Sequence, residues 1–175
     1  MMRIRRIDLC DARLFWDVQK KLDTESKFMM LEPDERRFDF SRTIGHISRF
    51  DFLVGADVDG KFVGFLSAKR GNANRIRNTA CVVVGVIEEF QHQGIGSQLF
   101  EELERWAKEK AVKRLELTVM INNYAAIALF QKHGFTIEGV RREAVCVDGK
   151  YIDEFYMSKI CLLYTSDAAD DLLCV

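Results

Sequence analysis

No run of about 18 apolar residues occurs anywhere in this 175-residue chain, which argues against a membrane-spanning helix. The opening "MMRIRRIDLCDARLFWDVQKK" mixes charge into its apolar residues, where a secretory signal needs an uninterrupted hydrophobic centre. The five cysteines, at positions 10, 81, 146, 161 and 174, include no C-x-x-C pair and none beside a histidine at metal-ligand spacing. They read as free thiols in a reducing, cytoplasmic compartment with no metal, and Cys81 reads as a small buried hydrophobe. An excess of one charge is also missing. Twenty-six Lys and Arg stand against 27 Asp and Glu, a formal net charge of −1, and this balance points to neither nucleic acid nor a membrane surface as partner. With no repeat, low-complexity segment or linker, the length predicts a single domain.

The last stretch, "CLLYTSDAADDLLCV", has neither strand alternation nor a helix cap. It resembles a translated sequencing adapter, whose codons TGT-CTC-TTA-TAC-ACA-TCT read Cys-Leu-Leu-Tyr-Thr-Ser. Residues 161–175 are therefore set aside, the fold is expected over 1–160, and the chain reads as an assembled, metagenomic sequence. Removing Asp167, Asp170 and Asp171 leaves the remainder close to neutral.

Alternation in residues 2–8 predicts a strand, and the spacing of Leu14, Phe15, Val18 and Leu22 a helix. A second helix is expected to open at Pro33, with Glu32, Asp34 and Glu35 at its start and Phe40, Ile44 and Ile47 on its apolar face. Two β-prone runs joined at Asp59-Gly60 predict a hairpin with a type I′ turn. "TACVVVGVI" (79–87) is almost wholly apolar, as expected of a central strand covered on both faces. Ile95, Leu99, Leu103, Trp106 and Ala107 form one face of a helix ending near Lys110. "KRLELTV" predicts a strand parallel to the central one, "NNYAAIALFQKH" a helix ended by Gly134, and two final strands turn at Asp148-Gly149. The order is β-α-α-β-β-β-α-β-α-β-β, a mixed α/β (α+β) single domain.

Between the central strand and the next helix lies "EEFQHQGIGSQLF" (88–100), with Gly94 and Gly96 in a polar hinge. A buried strand, a glycine turn and a helix N-terminus together make an anion site, because the first N–H groups of the helix have no intrahelical acceptor. A dinucleotide-binding fingerprint needs a third small residue where Leu99 stands, and a P-loop needs Gly-Lys-Ser/Thr, which is absent. A turn that simply uses glycines stays open on this stretch alone.

Gln91-His92-Gln93-Gly94-Ile95-Gly96 resembles the Q/R-x-x-G-x-G/A signature of the GCN5-related N-acetyltransferases (GNAT). "NNYAAIALFQKHGF" is similar to their second signature at Asn123, Ala126, Ile127, Leu129, Lys132, Gly134 and Phe135. The resemblance spans about residues 2–160, and the tail of the domain looks most like bacterial ribosomal-protein and polyamine acetyltransferases. It implies the acyl-CoA N-acyltransferase fold and acetyl-CoA as co-substrate. The diphosphate would lie on Gln91, His92, Gln93, Gly94, Ile95, Gly96 and Ser97. The pantetheine arm would pair with Val84 and Val86 and touch Asn123, which is also a plain helix cap, and an N–H near Val86 or Ile87 would face the thioester oxygen. Gly85 suits either a bulge that opens the slot or an ordinary strand position.

The family commonly has a tyrosine acid where this chain has Phe130, which donates nothing. Tyr156 is the substitute acid to consider, beside its plainer reading as a packed strand residue. Glu88 is the nearest carboxylate for a base, beside its plainer reading as a solvated loop residue. Glu32 and Glu35 are candidates to attract a cationic acceptor. The expected partner is a small-molecule amine or a protein N-terminus, with a homodimer left open. Phe130 also keeps a different class in view, a catalytically impaired acetyl-CoA sensor or interaction module.

Overall fold

The computed structural model describes residues 1–162; the residues of the adapter-like tail beyond 162 lie outside it. Seven strands form one sheet: β1 (Met2–Arg6), β2 (Phe52–Val58), β3 (Lys61–Arg70), β4 (Thr79–Val86), β5 (Arg114–Met120), β6 (Thr136–Val147) and β7 (Lys150–Ile160). Four helices accompany them: α1 (Ala12–Glu25), α2 (Phe40–Ile47), α3 (Ile95–Glu109) and α4 (Tyr124–Lys132). Their order along the chain is the one read from the sequence. In space the strands run β1-β2-β3-β4-β5-β7-β6, so β4 is the middle strand. No helix among the described residues is long and apolar enough to cross a membrane.

Both hairpins turn as their Asp-Gly pairs predict, with φ of 50° and 83° at Asp59 and Gly60 and of 51° and 75° at Asp148 and Gly149. One face of the sheet's first half carries α1, where Phe15 meets Phe65 edge-on at 5.3 Å. The other face carries α3, whose Trp106 packs on Phe52 at 5.2 Å. Ile95, Leu99, Leu103, Trp106 and Ala107 are all buried, so the predicted stripe is the packed face of α3. α4 lies beside α3 on that same side, joined through Phe100 and Phe130 at 5.7 Å.

Three expectations change. The second helix starts at Phe40, not Pro33, because the Asp39 side chain accepts from the Arg42 N–H at 2.8 Å and caps it there. Glu32, Asp34 and Glu35 therefore sit in a turn, closed by the Glu32 N–H donating to Glu35 Oε2 at 2.7 Å. That segment is anchored by Arg36, which pairs with the fully buried Asp23 of α1. β4 is central in the order but is not covered on both faces: Cys81 is exposed and Val83 is 48% exposed, because α1 and α2 stop short of the β4–β5 side. The Cys81 thiol is still pushed up, first by partial burial and then by the Glu116 carboxylate. Finally, β3 and β4 stay in unbroken register through Phe65 and Gly85, so there is no bulge at Gly85. A Cβ there would come within 2.7 Å of Leu22 Cδ1; the glycine makes room for α1.

Candidate active site

β4 and β5 pair in parallel only over Thr79–Cys81 and Arg114–Glu116, after which they part. Beyond that point, alternate N–H and C=O groups of β4 face a gap, since strand geometry sends successive backbone groups to opposite sides. The Ile87 N–H donates to the Val63 carbonyl at 2.9 Å, which places it on the β3 side. By alternation Val86 and Val84 face the gap. Val86 is thus the free donor of the Val86/Ile87 pair, and Ile87 is removed as a candidate. The Val86 carbonyl is held by Gln91 Nε2 at 2.9 Å, so the first residue of the hinge is tied to the strand edge it serves.

The hinge itself is open. Gln91, His92, Gln93 and Gly94 are exposed, and His92 and Gly94 take left-handed φ of 60° and 80°. Left-handed residues in a turn are the backbone from which an anion nest of N–H groups is built. No side chain caps α3 at Gly94, which leaves the N–H groups of its first turn for a ligand. A Cβ at Gly94 would meet nothing within 4 Å, whereas one at Gly96 would lie 2.8 Å from Leu129 Cδ2. Gly94 is needed for its backbone angle, and Gly96 lets α4 approach α3.

α4 contributes two further groups. Asn123 Oδ1 accepts from the Ala126 N–H at 3.3 Å, so the helix-cap reading is realised while the side-chain amide N–H groups stay available. Lys132 Nζ donates to Ser97 Oγ at 3.1 Å and brings a cation to the rim of the nest. The motif contains Lys132, but its reach to Ser97 depends on how α4 packs against α3. The fit to a diphosphate with an extended arm is therefore good: left-handed backbone, uncapped helix start, a lysine and an open strand edge adjoin one another.

The catalytic candidates scatter. Phe130 is 5% exposed inside a cluster with Phe100 and Phe135 on the α3–α4 side. Tyr156 pairs with Thr118, two residues on from the Glu116 that pairs with Cys81, and so stands on the opposite, α1 side, under Arg141 at 5.6 Å. It does not occupy the place of the missing tyrosine. The Glu88 side chain is exposed. Its backbone N–H, however, donates to Glu25 Oε1 at 2.6 Å, which brings the last carboxylate of α1 to the end of β4. No sequence pattern links positions 63 residues apart. A separate hollow of about 440 Å³ between Asp51, Arg70, Arg77 and Lys110 lies at the other end of β4, away from this assembly.

Residues 14–135 match the model of the acetyltransferase (GNAT) family. The L-amino acid N-acetyltransferase AaaT of Escherichia coli is 31% identical over 109 residues, 60% of this chain and 65% of that protein's length. The N-alpha-acetyltransferase RimI of Mycobacterium tuberculosis is 29% identical over 133 residues, 76% and 81% of the two chains. A GNAT-family acetyltransferase from Streptococcus pneumoniae superposes with a TM-score of 0.87 at 26% identity, over 93% of this chain and 100% of that one. The yncA structure from Salmonella typhimurium, with its cofactor acetyl-CoA, shares the fold at a TM-score of 0.81 and 18% identity, over 96% and 98%. The open strand edge, the nest at α3 and these matches lead to one conclusion: the chain belongs to the GNAT acetyltransferase family.

Proposed function

We propose that this protein transfers the acetyl group of acetyl-CoA to the primary amine of a small molecule or a protein N-terminus, by direct attack of the amine on the thioester. The observation that carries the reading is the parting of β4 from β5 immediately beside an uncapped, left-handed hinge. The gap offers the pantetheine arm an added-strand partner at Val84 and Val86, and the hinge offers the diphosphate its N–H groups. With both ends held, the thioester oxygen meets the Val86 N–H, a fixed donor where negative charge develops. Holding the reactants at attack distance supplies much of the rate by itself. AaaT and RimI are, by their names, an L-amino acid N-acetyltransferase and an N-alpha-acetyltransferase, which supports an α-amine acceptor, and Glu32 and Glu35 would add negative charge for it. Free cysteines among the described residues suit a cytoplasmic enzyme.

The test is thiol release from acetyl-CoA over a panel of L-amino acids, polyamines and short peptides. Release above the hydrolysis blank with one class names the acceptor. Tight coenzyme A binding with no release from any amine would overturn the enzyme reading and leave a binding module.

A further inference from the structure

We infer that Glu25 is the carboxylate that holds the acceptor ammonium and takes its proton, a role that rests on the acetyl-transfer reading above. On the gap side of β4 the outward N–H groups belong to Val84 and Val86, where the strand ends, and two residues on the Glu88 N–H opens a short 3-10 helix over Glu88–Phe90. The Glu88 N–H is the one that Glu25 Oε1 occupies, at 2.6 Å. Ile87 between them is extended, with φ of −62° and ψ of 146°, so two residues at about 3.3 Å each set the Glu88 N–H, and the Glu25 carboxylate on it, roughly 7 Å from the Val86 N–H that faces the thioester oxygen. An amine nitrogen placed between them touches both the carboxylate and the thioester carbon. One helical turn earlier, Leu22 packs over Gly85, so Glu25 lies on the α1 side of the sheet. The nest and α4 occupy the other side, and an amine entering opposite the cofactor arrives where Glu25 is.

The remaining carboxylates near the gap are less suited. Glu116 and Glu138 are bound to Arg114, and Glu154 to Arg141. Glu88 and Glu89 point their own side chains into solvent. The Glu25 side chain is only 14% exposed, its Oε1 is fixed by backbone, and its Oε2 has only the exposed Lys21 at 3.3 Å, a pair that binds weakly. In the reaction Glu25 takes one proton from R–NH3⁺. The freed lone pair forms the C–N bond at the thioester carbon while the Val86 N–H receives the oxyanion. The C–S bond then breaks, the adduct nitrogen gives its surplus proton to the departing thiolate, and Glu25 returns its own proton to water. Phe130 has no part in these transfers.

Wild type, Glu25→Gln, Glu25→Asp, Glu88→Gln and Lys21→Met are compared in thiol release from acetyl-CoA with L-amino acids, spermidine and an alanine-terminated peptide, from roughly pH 6 to 10. Gln can still accept the Glu88 N–H, so Glu25→Gln removes the charge and keeps the tie. It is expected to lower kcat/KM about 10²-fold to 10⁴-fold near neutrality, with the deficit closing as pH nears the amine's own pKa, and Glu25→Asp to restore part of the rate. Calorimetry on protein saturated with coenzyme A should show the amine binding about tenfold more weakly to Glu25→Gln. Lys21→Met should behave as wild type. The role is overturned if Glu25→Gln stays within about threefold of wild type, if its loss is the same at every pH, or if the loss falls on Glu88→Gln instead. Wild type that binds coenzyme A but acetylates no amine overturns the acetyl-transfer reading, and this role with it.

Discussion

Gly94 and Gly96 look alike in the sequence and serve different ends. At Gly94 the constraint is the left-handed φ of 80°, with open space where a side chain would go. At Gly96 it is Leu129, 2.8 Å from an added Cβ. Gly94→Val should therefore strain the nest, weaken coenzyme A binding at least tenfold, and lower stability by about 1–2 kcal/mol. Gly96→Val should overpack the α3–α4 contact by about 1–3 kcal/mol, seen as a larger fall in Tm. Binding isotherms and thermal melts of the two variants would separate them; equal behaviour would refute the distinction. Phe130→Tyr restores the hydroxyl common in the family. In the free protein that hydroxyl enters a buried aromatic cluster, and an unpartnered one costs about 1–3 kcal/mol. With acetyl-CoA bound, kcat should rise about tenfold if the hydroxyl reaches the thiolate. An unchanged kcat would mean that protonation of the thiolate does not limit turnover.

β5, β6 and β7 are held together across their open face by Arg114, which donates to Glu116 at 2.9 Å and to Glu138 at 2.8 Å, with Ser158 also donating to Glu138. The guanidinium first, then the Ser158 hydroxyl, lower the Glu138 carboxyl to about 2 from an ordinary 4.5. A carboxyl lowered by folding stabilises the native state above its unfolded pKa, and that contribution disappears as pH falls through the folded value. Glu138→Gln should accordingly lower Tm at pH 7, and the difference from wild type should shrink between about pH 4.5 and pH 2. Glu138 is exposed, so the effect should weaken with salt. A difference independent of pH would place the stabilisation elsewhere. Asp11 and Asp57, both lowered chiefly by hydrogen bonds from Arg5, lose their contribution in the same acid direction, so the whole acid limb is not Glu138's alone.

Across the whole molecule the parted strands make a site that ligand should brace. At one hundred times its Kd, coenzyme A would stabilise the native state by about 2.7 kcal/mol, a Tm rise of about 5–10 °C for a domain of this size. Gly94→Val should lose most of that rise at the same concentration, and the absence of any rise in wild type would refute the proposed cofactor site.

The order of elements, both Asp-Gly turns and the packed face of α3 were legible along the chain, because turn chemistry and apolar periodicity are local properties of neighbouring residues. The left-handed glycine hinge at the start of α3 was legible too, since such a backbone and a helix start leave their mark within six residues. The start of α2 was not, because acidic residues and a proline near 33 mimic a helix opening that Asp39 in fact provides. Nor was the open face of β4: an apolar run looks the same whether helices cover both of its sides or one, and only the reach of α1 and α2 decides it. The same holds for the meeting of Glu25 with Glu88, of Lys132 with Ser97, and of Leu22 with Gly85. Each joins residues far apart in the chain through the packing of a helix on the sheet or on another helix. Local sequence specifies how a segment bends and which side it buries; which side chains then face one another depends on where whole elements come to rest.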